Sequence, residues 1–408
     1  MAEKTYQIFD ETLVLEYIRT LSIFGESAQL SCREIGDGNL NLVFQIKDDL
    51  TGKSIIVKQS LPYARVVGES MPLTVDRNRL EAEALREEGK YCPEHTVKLY
   101  HSDPDLCIFV MEDLSDHIIM RKGLIEKRAY PKFAEHISTF LAKTLFYTTD
   151  YYMNPLEKKA LVKRFINPEL CKISEDLIFT HPYYDAPENN IPKGVRPMAE
   201  RIWQDEALKA EVAKLKHRFM TKAESLLHGD LHTGSIFVNE ESTKVIDPEF
   251  AFVGPIGFDI GAVIANLLLN YASQEGWAND EKEKETVRNR LLQMVNDVWV
   301  GFFEKFASLL KEECKDPMFS SPIFQDDVMR EIFADTLGYA GCKMIRRIYG
   351  LAHVADIDKI EDDTKRLNAQ ALALTIGRGL ILERYHFKNI GEVTSYIQAV
   401  HSEQGEGN

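Results

Sequence analysis

No Cys-x-x-Cys pair occurs in the 408 residues, and the six cysteines (Cys32, Cys92, Cys107, Cys171, Cys314, Cys342) stand apart from one another and from any histidine cluster. That scatter argues against a structural zinc site or a disulfide framework. The cysteines read as buried or free thiols, and the expected compartment is the reducing cytoplasm. Positive charge is scarce as well: 49 Lys and Arg face 64 Asp and Glu, for a formal charge of -15. Such a chain is a poor partner for a nucleic-acid backbone, and any anionic ligand must meet locally gathered cations. Long apolar runs are missing too. The longest, around Val263 to Leu269, is too short to span a bilayer, and the opening MAEKTYQIFDET carries neither a signal-peptide core nor an arginine-rich amphipathic pattern. Membrane insertion and internal repeats are therefore not expected.

What the chain does have is an ordinary globular composition, with 44% hydrophobic and 28% charged residues. It should fold throughout, apart from a polar tail after His401. At 408 residues it exceeds what one core organises, so two lobes with a cleft between them are expected. From about Ser31 to Met111 short β-type runs (Leu42 to Ile46, Ser54 to Val57, Cys107 to Val110) surround one helical segment near Asp76 to Glu88. After Met111 the pattern turns helical, near Tyr130 to Asp150, Met198 to Leu227, Asp280 to Glu313, Asp326 to His353 and Asp363 to Tyr385. The proline-rich stretch His181 to Pro197 reads as a surface loop, either a lid or a connector. The stripe Leu291, Val295, Val298, Trp299, Phe302, Phe306 and Leu309 has helical spacing and reads as core.

The densest cluster of reactive side chains is His228-Gly229-Asp230-Leu231-His232-Thr233-Gly234-Ser235, followed by Lys244-Val245-Ile246-Asp247-Pro248-Glu249. Between the acidic stretches lie a β-type run, Ile236-Phe237-Val238, and a turn at Asn239 to Thr243. Two antiparallel strands would carry Asp230 and Asp247 to one edge. Phosphoryl transfer asks for this division of labour: one carboxylate orients the attacking hydroxyl and accepts its proton, while other oxygens hold magnesium on the polyphosphate. Asp also closes turns without doing chemistry, but Gly229 and His228 beside Asp230 favour the catalytic reading. Asp247 and Glu249 converge on one metal if the turn at Pro248 bends them together.

This pattern resembles the aminoglycoside phosphotransferase and choline kinase superfamily, whose catalytic loop reads H-G-D-x-x-x-x-N. The fifth position after Asp230 is Ser235 rather than asparagine, which removes an amide oxygen that usually contacts a metal there. Glu249 offers a replacement ligand. HGDLHTGS followed by DPEFAFVGPIGFDIGA is similar in particular to the methylthioribose kinase family, which uses the D-x-E form. The resemblance implies an α+β, bilobal protein-kinase-like fold, with a small N-terminal sheet lobe and a mainly α C-terminal lobe. Residues 1–111 would form the nucleotide-binding lobe, 112–115 the hinge and 116–408 the catalytic and substrate lobe. It also implies ATP and Mg2+ as cofactors, 5-methylthioribose as acceptor, its 1-phosphate as product in methionine salvage, and a homodimer.

The other candidate residues fall into place on that frame. Ile35 to Phe44 reads as a glycine-containing turn whose amides meet phosphate oxygens, with Gly38 and Asn41 as ATP contacts. Lys58 closes the run Ile55-Ile56-Val57 and would steady the non-transferred phosphates. Its acidic partner is Glu81 or Glu83, between which spacing does not decide, and Glu83 is favoured. Glu112, Asp113 and Leu114 follow the run Ile108 to Met111 and would bind adenine through their peptide groups. Asp247, Pro248 and Glu249 complete the ATP site, with Asp247 and Glu249 on the metal and Asp230 as base and substrate contact. Asp259 is expected to cap the helix that follows it and to reach back toward His228, itself a scaffold histidine. Arg346 and Arg347 would complement a helix C-terminus in a purely structural reading. As planar donor forks they also suit a diol or a phosphate, and the resemblance assigns them to the sugar. A kinase of homoserine, choline or an aminoglycoside, or a nucleotide-binding scaffold without turnover, are the alternatives. The two arginines count against a cationic acceptor, and the presence of Lys58, Asp230 and Asp247 counts against a silent scaffold.

Overall fold

The computed structural model describes residues 6–35, 41–64 and 68–406. The expected glycine turn, including Gly38, lies outside the described residues. The N-terminal region is built on a five-stranded antiparallel sheet in the order Leu30–Glu34, Asn41–Asp48, Ser54–Ser60, Ile108–Glu112, Leu99–Asp103. Side chains alternate across a strand, and the middle strand uses both faces. Ile55 and Val57 pack with Leu42, Phe44 and Ile46 against Val14, Tyr17 and Ile18 of a helix at Glu11–Arg19. Ile56 packs on the other face with Ala82 and Leu85 of the helix Arg77–Tyr91. Lys58 shares the parity of Ile56, so its side chain emerges on the Arg77–Tyr91 side. The Glu11–Arg19 helix was not expected. Its start is fixed by Asp10, whose Oδ1 accepts from the Leu13 N–H at 2.8 Å.

The remainder is mainly helical, and the expected helical segments form with adjusted ends. Phe133–Phe146, Glu281–Glu313, Pro322–Tyr349 and Asp363–Glu383 match their sequence patterns. The segment Met198 to Leu227 is instead two helices, Arg196–Gln204 and Glu206–Thr221, followed by a strand, Ser225–Leu227. The break falls at Asp205, which caps the second helix by accepting from the Leu208 N–H at 3.0 Å. The apolar stripe on Glu281–Glu313 is core: Phe306 meets Phe146 edge to face at 5.6 Å between centroids. No helix among the described residues is long and apolar enough to cross a membrane.

The helix Gly257–Trp277 is buried along most of its length and packs against Pro322–Tyr349. A Cβ at Gly261 would lie 2.6 Å from the Thr336 carbonyl oxygen and 2.9 Å from the Ala340 nitrogen, so only glycine permits this approach. The stretch His181 to Pro197 is a connector fastened to this helical body. Tyr349 and Trp203 both donate to the Pro182 carbonyl, at 2.7 and 3.2 Å. His353 Nε2 donates to the Asn190 carbonyl at 2.7 Å.

Candidate active site

Two short strand pairs bring the acidic loops together. Ile236–Val238 pairs antiparallel with Thr243–Val245, and Ser225–Leu227 pairs with Phe252–Gly254. Asp230 thus follows a strand of one pair and Asp247 a strand of the other, and the two acids flank the open end of the Ile236–Val238 and Thr243–Val245 hairpin. His228 ties the loops together: its Nε2 donates to the Ile246 carbonyl at 2.8 Å and its Nδ1 accepts from the Asp230 N–H at 3.3 Å. Both ring nitrogens are engaged, which is the expected scaffold role. Gly229 has φ +86°, and a Cβ there would sit 2.1 Å from the Phe250 carbonyl oxygen, so the loop cannot take another residue unchanged.

Asp259 holds this loop from below, but not as a helix cap. It lies in the first turn of Gly257–Trp277, whose capping residue is Ile256. Its carboxylate accepts from the His228 N–H at 2.7 Å and the Gly229 N–H at 3.1 Å. The reach toward His228 is as expected; the N-cap is a correction, because the helix begins two residues earlier and the carboxylate is committed to the loop amides.

Lys58 is buried, and its Nζ bonds Glu81 Oε1 at 2.7 Å and pairs closely with Asp247 Oδ1. The partner is therefore Glu81, not Glu83. Glu81 shares its helix face with Ala84, Leu85 and Glu88, all buried, at the i, i+3, i+4 and i+7 positions. Glu83 lies about 200° away around the helix and pairs with Arg79 and Arg164. Burial disfavours the Lys58 charge, but Asp247, Glu81 and Glu249 together outweigh it and keep the amine protonated.

Glu81, Asp247 and Glu249 present oxygens that all lie within 4.8 Å of one another. Asp247 adopts φ +69°, a left-handed conformation tolerated by Asp, and this turn before Pro248 is what aims the two carboxylates at one point. Burial, reinforced by the neighbouring acids, pushes the carboxyls of Glu81 and Glu249 above their ordinary range. Three crowded carboxylates held against one lysine form a hard oxygen donor set that suits a divalent cation such as Mg2+. Sequence reasoning placed Asp247 and Glu249 in this set but missed Glu81 as its third member.

Asn41 does not stand free beside this cluster. Its Nδ2 donates to Glu249 Oε2 at 3.3 Å, and its Oδ1 accepts from Arg77 at 3.0 Å. Arg77, fully buried at the start of its helix, also lies 3.3 Å from Glu249 Oε2 and donates to the Leu61 and Thr74 carbonyls, each at 2.8 Å. Together Asn41 and Arg77 fix one oxygen of Glu249. Arg77 carried no motif in the sequence. Ser235 is buried with its Oγ 3.1 Å from His232 Nδ1, inside the Asp230 loop. In the segment 112–115, expected to be a hinge, Asp113 accepts from Gln45 at 2.6 Å and from the Ser115 N–H at 3.0 Å. Glu112 accepts from the Lys98 N–H at 3.1 Å, and Leu114 is buried.

Around Asp230 the charge is positive. Lys343, Arg346 and Arg347 come from one face of Pro322–Tyr349, at i, i+3 and i+4. Lys343 Nζ is 3.4 Å from Asp230 Oδ1, and His232 Nε2 is 3.5 Å from Oδ2. Burial alone would raise the Asp230 carboxyl, but His232, Lys343, Arg346 and Arg347 outweigh it and hold the group well below the usual carboxylate range. Arg347 donates to the Ala352 and His353 carbonyls at 3.3 and 3.4 Å. Arg346 is only 9% exposed, and its buried Nε has no hydrogen-bond partner among the described residues. Arg121, paired with Asp356 at 3.4 Å and donating to Asn266 at 3.1 Å, adds a fourth cation. Lys343 and Arg121 were missed; for Lys343 the i, i+3, i+4 spacing with the two arginines was the available signal.

A lysine locked between carboxylates, an acid triad fit for a metal and a separate low-pKa aspartate among cations define a phosphotransferase site on a kinase-like fold. A model of the phosphotransferase enzyme family matches residues 168–289. Methylthioribose kinase of Geobacillus kaustophilus (strain HTA426) is 50% identical over 382 residues, 94% of each chain. Methylthioribose kinase of Yersinia pseudotuberculosis serotype O:1b (strain IP 31758) is 46% identical over 394 residues, covering 96% of this chain and 97% of that one. Among solved structures, choline kinase from Cryptosporidium parvum Iowa II aligns with a TM-score of 0.47 at 15% identity, over 91% of this chain and 98% of that one. The chain belongs to the methylthioribose kinase family.

Proposed function

We propose that this kinase transfers the γ-phosphate of ATP to the anomeric hydroxyl of 5-methylthioribose, giving the 1-phosphate, as a step of methionine salvage. Identity of 50% to a methylthioribose kinase over 94% of both chains carries this reading. The nucleotide would lie between residues 1–111 and 116–408, with adenine on the peptide groups of Glu112, Asp113 and Leu114 in a hinge at 112–115. Gly38 and Asn41 would belong to its phosphate-binding side.

In this mechanism Asp230 orients the acceptor hydroxyl and takes its proton. Its low pKa keeps it ionised at neutral pH. Lys58 holds the non-transferred phosphates, positioned by Glu81. Asp247 and Glu249 would hold Mg2+, whose charge, when bound, neutralises the polyphosphate. The positive face of Arg346 and Arg347 receives the charge that spreads over the transferring phosphoryl oxygens. Arg346 is the arginine assigned to substrate, since Arg347 is already engaged by the loop carbonyls of Ala352 and His353. Four cations near Asp230 disfavour choline or an aminoglycoside as acceptor. The protein is proposed to act as a cytoplasmic homodimer, as the family resemblance implies, and sedimentation equilibrium reads the oligomeric state.

The test is ATP consumption with magnesium across 5-methylthioribose, ribose, homoserine, choline and an aminoglycoside. Turnover confined to methylthioribose is expected. Preferred turnover of a cationic acceptor would keep the chemistry and overturn the substrate.

A further inference from the structure

The helix that carries Arg346 also delivers Lys343, a residue whose burial has no simple structural motive. Its side chain is 5% exposed, and Asp230 Oδ1, at 3.4 Å, is the one hydrogen-bond acceptor its ammonium meets among the described residues. Its other close neighbour is the Phe258 ring, 4.2 Å from Nζ to centroid. Burial pulls the ammonium down to about 8 against the opposing charge of Asp230. A methionine would fill the same space beside Phe258 without that desolvation cost, and Asp230, 24% exposed and flanked by Arg346 and Arg347, would keep compensating charge without it. Folding alone therefore does not call for a charge here.

The geometry around Asp230 does. Lys343 meets Oδ1, while His232 Nε2 lies 3.5 Å from Oδ2. His232 Nδ1 accepts from the Gly234 N–H at 3.1 Å, so the proton of the neutral ring sits on Nε2, the nitrogen on the Asp230 side. The Lys343 ammonium, from the Pro322–Tyr349 helix, is thus the hydrogen-bond donor on Oδ1, with the His232 ring beside Oδ2. Reacting groups misplaced by about 1 Å lose rate by roughly 10²-fold.

We propose that Lys343 is a positioning residue, whose ammonium holds the Asp230 carboxylate in a single orientation toward the acceptor hydroxyl. The inference rests on the reading of Asp230 as the base. Lys343 also belongs, with His232, Arg346 and Arg347, to the groups that keep Asp230 ionised.

The experiment compares Lys343→Met, Lys343→Arg and Asp230→Asn in the full-length enzyme, by steady-state kinetics over pH and by thermal melting. Lys343→Met is expected to lower kcat by roughly 10- to 100-fold with KM for ATP essentially unchanged and a Tm no lower than the parent's. Its kcat should also lose the acidic limb at higher pH, because one of the charges holding Asp230 down is gone. Lys343→Arg should restore part of kcat. Parent-like kcat and pH profile in a folded Lys343→Met enzyme overturn the proposal. If that variant does not fold, Lys343→Gln supplies the same readings; if neither folds, Lys343 is structural and the proposal fails. Asp230→Asn separates the two ideas: full activity there removes the base assignment itself, whereas a dead Asp230→Asn beside an unimpaired Lys343→Met removes only the role of Lys343.

Discussion

Lys58 and Glu81 meet at 2.7 Å between a strand and the helix packed on it, with Asp247 on the other side of the same ammonium. One buried lysine therefore links the sheet, the Arg77–Tyr91 helix and the loop of Asp247. Neutralising Glu81 takes away one of the two carboxylates that hold the ammonium, and losing a partner from a buried pair costs up to about 3–5 kcal/mol.

Glu81→Gln should accordingly cut kcat/KM for ATP by roughly 10²-fold or more. Glu83→Gln, whose carboxylate pairs with Arg79 and Arg164 at a partly exposed surface, should stay near the parent value, as expected for such pairs. Parallel steady-state titrations of ATP decide it. Equal losses in the two variants would mean that the helix face is misassigned.

Asp230→Asn should bind ATP almost as the parent does and lose roughly 10²-fold or more in kcat, the usual contribution of a positioned base. Among the described residues Lys58, Glu81, Asp247 and Glu249 make no hydrogen bond or ion pair with Asp230, so ATP affinity is the internal control. Calorimetric ATP binding and kcat are the two readings; near-normal turnover would take Asp230 out of the mechanism.

Glu249 shares the site with Asp247 and is oriented by Asn41 at 3.3 Å and Arg77 at 3.3 Å. If its carboxylate replaces the asparagine absent at Ser235, Glu249→Gln should raise the magnesium concentration needed for half-maximal rate. Asn41→Ala should do the same more weakly, by loosening Glu249. A magnesium titration unchanged in Glu249→Gln would leave Asp247 and Glu81 as the metal ligands.

The residues legible in the sequence were those whose chemistry is local. HGD and DPE are contiguous, and the hairpin between them follows from one β-type run and one turn. The face of a helix was also legible in principle: Glu81, Ala84, Leu85 and Glu88 repeat at 3.6-residue spacing, and choosing Glu83 ignored that period. Arg77 and Arg121 were not legible. Each is a basic residue without a motif, at a helix start or in a short helix, and its meaning comes from partners far along the chain, Glu249 for one and Asp356 and Asn266 for the other. Asp259 failed as a cap for a related reason, since the position of the helix start depends on the packing of Gly257 and Gly261 against Thr336 rather than on local preference.

The tilted ring pair His95 and His136 gives a pH dependence of stability with a defined sign. The rings lie 4.5 Å apart between centroids, and both Nδ1 atoms face Thr243, the carbonyl at 3.2 Å for His95 and the hydroxyl at 3.2 Å for His136. Burial lowers both pKa values, and the neighbouring imidazole adds to the effect on His95 while Lys132 adds to that on His136. Between the lowered folded values and the ordinary value near 6.5, the unfolded chain binds more protons, so stability rises with pH. The pair's contribution is present above about pH 6.5 and is lost as the pH falls through the folded pKa values. Melting temperatures should therefore drop between pH 7 and pH 5, more steeply in the parent than in His136→Gln, which removes one of the two protonations. Because Thr243 opens the strand Thr243–Val245 that leads to Asp247, activity lost at acid pH through this pair should return on neutralisation. Parallel Tm-against-pH slopes in parent and variant would show that the acid sensitivity arises elsewhere.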